Sequence, residues 1–236
     1  MGRGWEGAVL KLLRAKDFKF TVTGAEQVTE HYRRLSFTDG GLLKELPIHP
    51  AMWVRLWFEH EGKPHQRGYT LVDPDAEAGT FDIEFALHDG SAADWSRTAE
   101  PGDTIAATVY GTAFSAPDPK PSRLLIVGDA ASLPAINSLL DAFPDTPATI
   151  WFETADEDEL PFRVDPERHD LQLIPRGEDG AALVARVREE LPSLLGEAPY
   201  LWITAEAATT RALSAHARKD LGLPKDRVHA MAYWRA

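Results

Sequence analysis

The chain has 236 residues, 44% of them hydrophobic, a formal net charge of −12 and no cysteine. Without cysteine there are no disulfides, thiol nucleophiles, zinc–thiolate sites or cysteine-held iron–sulfur clusters, so an electron carrier built from this chain needs an organic cofactor. The acidic balance argues against nucleic acid and anionic membranes as partners, no segment approaches the ~20 apolar residues of a membrane helix, and the histidines show no HExxH or similar metal-ligand spacing.

Residues 1–16 mix apolar positions with Lys and Arg but lack a hydrophobic region and a cleavage site. They read as a frayed or short amphipathic helix, and the missing export signal makes the cytoplasm the expected location. Residues 18–22 begin as a strand, and residues 33–37 form another, closed by Asp39-Gly40-Gly41. Pro47 and Pro50 break the next segment. Residues 52–58 are a strand in which Trp53, Arg55 and Trp57 share a face opposite Met52, Val54, Leu56 and Phe58. A loop is expected over 59–66.

Arg67-Gly68-Tyr69-Thr70 follows. It offers a cation, a flat ring and a hydroxyl within four residues. In extended backbone Arg67 and Tyr69 take one face and Thr70 the other. A flavin dinucleotide can use all three: Arg67 for the pyrophosphate, Tyr69 for stacking on the isoalloxazine or ribityl, and Thr70 for the redox edge of the ring. Residues 81–88 alternate at first as a half-buried strand does and end in His88. Gly90-Ser91-Ala92-Ala93 then starts a short helix carrying Trp95, and small side chains there leave backbone N–H groups open to a phosphate. Pro101-Gly102-Asp103 turns the chain into a strand over 104–110. These closely spaced short strands predict an antiparallel barrel or sandwich.

Ser115-Ala116-Pro117-Asp118-Pro119-Lys120-Pro121-Ser122 is a stiff linker. It divides a first domain over 1–116 from a second over 123–236. Beyond it, strands over 123–127, 148–152, 171–174, 200–204 and 228–234 alternate with helices over 133–143, 181–191 and 207–221, which predicts a parallel α/β layer. The turn Gly128-Asp129-Ala130-Ala131-Ser132 lacks G-x-G-x-x-G. Gly128 permits close backbone approach and the helix start can receive a pyrophosphate, though any first βα turn looks like this. The acidic run Asp156-Glu157-Asp158-Glu159 would repel a 2′-phosphate and favours NADH, while Arg176 could grip that phosphate.

The order R-x-Y-T, strand ending Leu87-His88, G-x-A-x-x-W, P-G-D, then Leu124 through Pro134 (LLIVGDAASLP), Glu206-Ala207-Ala208 and Tyr233-Trp234-Arg235 resembles the siderophore-interacting protein family, a branch of the ferredoxin-reductase-like flavoproteins. The resemblance spans residues 18–235. It implies an antiparallel FAD-binding β-barrel followed by an α/β nicotinamide-binding domain. It also implies a ferric-siderophore reductase that passes electrons from NADH, NADPH or a ferredoxin through FAD to Fe(III), releasing Fe(II). The flavin carries the chemistry, so no side chain is expected as general acid or base. The resemblance assigns Arg67, Tyr69, Thr70, His88, Gly90, Ser91, Ala92, Ala93 and Trp95 to FAD. It assigns Gly128, Asp129 and Ser132 to the nicotinamide nucleotide, and Arg55, Trp234 and Arg235 to the ferric siderophore. Each has a plainer alternative: Arg55 packed between aromatics, His88 satisfied at a strand end, Tyr233 and Trp234 in a core.

Basic residues that the family often carries after R-x-Y-T and in the loop after the last barrel strand are replaced here by Leu71-Val72 and Gly111-Thr112-Ala113. A thinner basic pocket in an acidic protein favours neutral or cationic hydroxamate chelates over trianionic catecholates. Two other functions fit the same motifs: a general flavin-dependent NAD(P)H reductase (diaphorase) with another acceptor, and a non-catalytic flavin- or siderophore-binding protein.

Overall fold

A computed structural model describes residues 15–155, 160–177 and 180–235. The expected N-terminal helix, up to residue 14, and the acidic run 156–159 lie outside the described residues. The chain forms two compact units, Met1–Phe114 and Ser115–Ala236.

The first unit is a seven-stranded antiparallel sheet with strand order β4-β3-β7-β1-β2-β6-β5. Its strands are β1 (Lys16–Thr29), β2 (Tyr32–Thr38), β3 (Trp53–His60), β4 (Lys63–Thr70), β5 (Val72–Asp75), β6 (Thr80–Ala86) and β7 (Thr104–Val109). Two short helices join them, α1 (Leu42–Glu45) and α2 (Ser91–Thr98). Alternation puts Phe20, Leu35, Phe37, Val54, Leu56, Phe81, Ile83 and Phe85 into one core. Phe20 meets Phe81 edge-on at 4.9 Å, and Phe37 stacks on Phe81 at 5.6 Å. Tyr69 on β4 reaches Phe85 on β6 at 4.6 Å although several strands separate them in the ladder. The sheet is therefore curled into a half-barrel around this core.

The expected loop over 59–66 is instead a hairpin. His60 pairs with Lys63 across Glu61-Gly62, which take φ 51° and 72°. Positive φ at both turn positions is the geometry that matches strand twist in a two-residue hairpin. Lys63, Pro64 and His65 carry little strand signal, but β4 is an edge strand, where a proline costs no ladder hydrogen bond.

The second unit is a five-stranded parallel sheet, order β10-β9-β8-β11-β12, made of β8 (Arg123–Asp129), β9 (Ala148–Thr154), β10 (His169–Pro175), β11 (Pro199–Glu206) and β12 (Val228–Trp234). Its helices are α3 (Leu133–Ala142), α4 (Ala181–Leu194) and α5 (Ala207–Ala215). Leu125, Val127, Leu201 and Ile203 pack with Leu183, Val187 and Leu213 in one buried cluster. The helix expected over 207–221 is α-helical only to Ala215 and continues as a π-helical turn, His216–Asp220. β8 lies between β9 and β11, where the strand order reverses, so its carboxyl end opens on the crevice where sheets of this kind place ligands.

Candidate functional site

In the first unit β4 pairs with β3 so that Arg67 faces Leu56, Gly68 faces Arg55, Tyr69 faces Val54 and Thr70 faces Trp53. Arg67 and Tyr69 therefore share the barrel side and Thr70 the other, as alternation requires. The Arg67 side chain is exposed, and among the described residues its guanidinium donates only to the neighbouring Gln66 carbonyl, from Nη1 at 2.9 Å. Tyr69 packs its ring against Phe58 and Phe85. Burial raises its phenol pKa, so the hydroxyl keeps its proton. Thr70 is buried, and its hydroxyl makes no hydrogen bond among the described residues.

Beyond β6 the backbone carbonyl of His88 accepts from Arg97, and the ring Nδ1 of His88 lies 2.7 Å from the Asp89 carbonyl. Gly90 caps α2 at φ 143°, a conformation only glycine adopts without strain. Asp94 N–H returns to Gly90 O at 2.9 Å. The amides of Ser91, Ala92 and Ala93 have no acceptor among the described residues, although Ala92 and Ala93 are buried. A helix start with unpaired amides and no capping side chain is an anion seat. Together with the uncommitted Arg67 guanidinium and the Thr70 hydroxyl, these donors fit a flavin dinucleotide. Trp95 differs from its expected role: its ring lies against Phe37, Phe58 and Phe85 and anchors α2 on the core.

Arg55 shares its face with Trp53 and Trp57. Its guanidinium lies 4.3 Å over the Trp53 ring and donates to the Tyr110 carbonyl at 2.7 Å. Burial lowers its pKa from the usual arginine value, and it stays cationic. Trp57 Nε1 donates to Thr108, whose hydroxyl donates to Asp17 at 2.6 Å. Leu71 and Val72, where the family often places a base, are buried. Thr112 is held by the Trp53 amide and the His49 ring.

In the second unit the turn after β8 is not the open seat expected of a helix start. Asp129 N–H donates to Ser132 Oγ at 2.8 Å, Ala131 N–H to Asp129 Oδ1 at 3.1 Å, and Ser132 N–H to Asp129 O at 2.9 Å. Ala135 and Ile136 N–H both return to Ser132 O, and Pro134 has no N–H. A Cβ on Gly128 would overlap Ser132 Oγ and come 2.6 Å from Ile136 Cδ1. The glycine thus makes room for the protein's own helix. Asp129 Oδ2 accepts the indole N–H of Trp234 at 2.7 Å, and the Arg176 guanidinium lies 4.7 Å over that indole. Arg235, the next residue, is exposed.

Sequence reading missed Glu153. It is the penultimate residue of β9, pairs in register with Asp129 and is 6% exposed, with Oε1 lacking a hydrogen-bond partner among the described residues. Burial raises both carboxyl pKa values, and the negative charge of Asp129 raises that of Glu153 further. The signal was present: an acidic residue near the end of the second strand of an α/β unit stands where ligand hydroxyls are commonly read.

Residues 20–110 match the model of the siderophore-interacting FAD-binding domain, and residues 121–236 that of the siderophore-interacting protein. The mycobactin import ATP-binding/permease protein IrtA of Mycolicibacterium smegmatis is 34% identical over 99% of the chain, which spans only 28% of that relative's length. Ferric vibriobactin reductase ViuB of Vibrio cholerae is 27% identical over 81% of the chain and 71% of ViuB. The crystal structure of the siderophore-interacting protein SipS from Aeromonas hydrophila superposes with a TM-score of 0.78 at 26% identity, covering 93% of the chain and 92% of SipS.

Proposed function

The chain belongs to the siderophore-interacting protein family and has its FAD-binding domain, and from that premise we propose that it is an FAD-dependent ferric-siderophore reductase. The fold is ferredoxin-reductase-like, a curled antiparallel sheet followed by a parallel α/β layer. ViuB, a ferric vibriobactin reductase by name, and the mycobactin import proteins support iron-chelate chemistry here.

The observation that carries the reading is the row of amides at the start of α2 that have no acceptor among the described residues, together with the exposed Arg67 guanidinium. Arg67 and the Ser91, Ala92 and Ala93 amides would hold the FAD phosphates, and the Thr70 hydroxyl would bond the redox edge of the ring. Tyr69, fixed by Phe58 and Phe85, would supply an apolar shelf for the flavin, and His88 would serve the phosphates. FAD, when bound, accepts electrons in pairs and releases them singly, the conversion that an Fe(III) acceptor needs. Arg55 in the first unit, and Trp234 and Arg235 in the second, are the residues proposed, each by itself, to contact the ferric siderophore, the two arginines as cations. Reduction releases the metal because Fe(II) is held weakly by hard oxygen ligands. The net charge of −12 and the apolar Leu71-Val72 favour hydroxamate over catecholate chelates. The electron donor is NADH, NADPH or a ferredoxin.

The test is direct. The purified protein, saturated with FAD, is expected to be yellow. Anaerobic addition of NADH, NADPH or reduced ferredoxin should bleach it, and a ferric hydroxamate should then restore the colour while an Fe(II)-specific chelator fills. A protein that stays colourless with excess FAD, or bleaches without passing electrons to any ferric chelate, overturns the proposal.

A further inference from the structure

We infer that the turn between β8 and α3 is a clamp for the C-terminal strand and not a seat for a dinucleotide pyrophosphate, with Asp129 as the positioning residue that sets where Trp234 and Arg235 leave the sheet. Three independent observations carry this. The first is that the turn's donors are committed. The amides of Asp129, Ala131, Ser132, Ala135 and Ile136 all bond within the turn or the first helical turn, and Pro134 has none. That leaves those of Ala130 and Leu133, whereas the start of α2 keeps three in a row. An anion at a helix start needs several converging amides.

The second is occupancy. The Cβ side of Gly128 is filled by Ser132 Oγ and Ile136 Cδ1, so the missing side chain is used up by the close packing of α3 on β8 and leaves no room there for a ligand. The Asp129 carboxylate is spent on the Trp234 indole at 2.7 Å, and Arg176 covers the ring face. Arg176 is thus drawn to the indole and the carboxylates. The third is charge. β8 and β11 end in Asp129 and Glu206, and Glu153 is the penultimate residue of β9. Glu153 Oε1 is buried without a hydrogen-bond partner among the described residues, and Glu206 already caps α5 by accepting from Ala208 and Thr209. A phosphate approaching this edge meets these acidic side chains first, against Arg176, which lies over the Trp234 indole, and the exposed Arg235 just past the end of β12.

The consequence for Arg235 rests on the proposed role of that residue in chelate binding; the clamp itself does not. The experiment uses the FAD-saturated full chain. Amide hydrogen exchange is followed over residues 128–136 with and without NADH and with and without ADP, alongside the exchange rate of the Trp234 indole N–H, assigned through Trp234→Phe. Binding of ferric acetohydroxamate is titrated for the wild type, Asp129→Ala and Asp129→Asn, the last retaining an oxygen that can accept the indole N–H. The inference expects no added protection over 128–136 with either nucleotide, a slow indole N–H that becomes fast in Asp129→Ala, and chelate binding weakened about tenfold in Asp129→Ala but largely rescued in Asp129→Asn. NADH- or ADP-dependent protection of the Asp129–Ser132 amides overturns it, as does an indole N–H that stays slow in Asp129→Ala. Chelate affinity that is measurable in the wild type but unaffected in Asp129→Ala overturns the positioning half. If no chelate binds the wild type, the proposed function fails while the indole and footprint readings still decide the clamp.

Discussion

Tyr69 on β4 and Phe85 on β6 lie 4.6 Å apart, ring centroid to ring centroid, and so close the curl of a sheet whose ladder never brings their strands together. The same ring is the shelf proposed for the flavin, which couples the stability of the first unit to cofactor binding. Tyr69→Ala should cost about 3 kcal/mol, as removal of a packed aromatic does, and should lower FAD occupancy with it. Tyr69→Phe should cost under ~1 kcal/mol, because the ring contacts remain. Urea unfolding read by near-ultraviolet circular dichroism separates the two. Equal losses in both variants would mean that the hydroxyl, not the ring, does the work.

Arg67 offers the opposite case. Its guanidinium is exposed and, among the described residues, bonds only the adjacent carbonyl, so Arg67→Ala should leave stability within about 0.5 kcal/mol of the wild type. Loss of charged hydrogen bonds to a pyrophosphate should nevertheless weaken FAD by about 1.5–3 kcal/mol, roughly ten- to hundredfold. Equilibrium dialysis against FAD measures it. Unchanged affinity would move the pyrophosphate away from β4.

The β8 sheet was legible because its strands are continuous apolar runs and its helices carry a regular stripe. The β4 edge was not: Lys63, Pro64 and His65 look like loop, and only pairing with the apolar β3 makes them strand. At the proposed flavin site the residue types and their alternation were readable, as was the small-residue start of α2, whose first amides have no acceptor among the described residues. What sequence could not reveal was how side chains are spent. Trp95 faces the core, Ser132 closes back on Asp129, and Asp129 holds Trp234 from more than a hundred residues away. Such commitments depend on tertiary register, which no local pattern encodes.

Glu84 shows the same limit and yields a stability prediction. In the alternation of β6 it reads as a solvent-facing carboxylate, yet it is 6% exposed. It accepts from the Tyr32 hydroxyl at 3.1 Å and from Arg34 at 3.1 and 2.6 Å. Glu84→Ala would remove the acceptor that the Tyr32 hydroxyl and Arg34 share and leave Arg34 with Glu26, at a cost of about 2 kcal/mol to the first unit. Glu84→Gln keeps one acceptor and should cost less. Thermal melts in which both variants match the wild type would show that solvent substitutes freely at this point.

His229 makes the second unit sensitive to acid in a direction that can be worked out. Its ring stacks on Trp202 with centroids 3.7 Å apart at 13°, and burial lowers its pKa from 6.5 to about 4. Between those values the unfolded chain binds a proton that the folded chain refuses, so stability falls as pH falls through the window. The loss approaches about 3 kcal/mol near the bottom of it. Asp129 and Glu153 act with the opposite sign: burial raises their pKa values, so they favour the folded state on acidification and lose that contribution as pH rises through their elevated values. A wild-type profile mixes these terms, and His229→Phe separates them, because it keeps an aromatic ring over Trp202 and removes the titration. The difference in unfolding free energy between variant and wild type should therefore grow in the variant's favour from about pH 7 to about pH 4.5, by roughly 2 kcal/mol. Parallel profiles would mean that the imidazole takes up its proton in the folded state as readily as in water, with the stack opening to admit it.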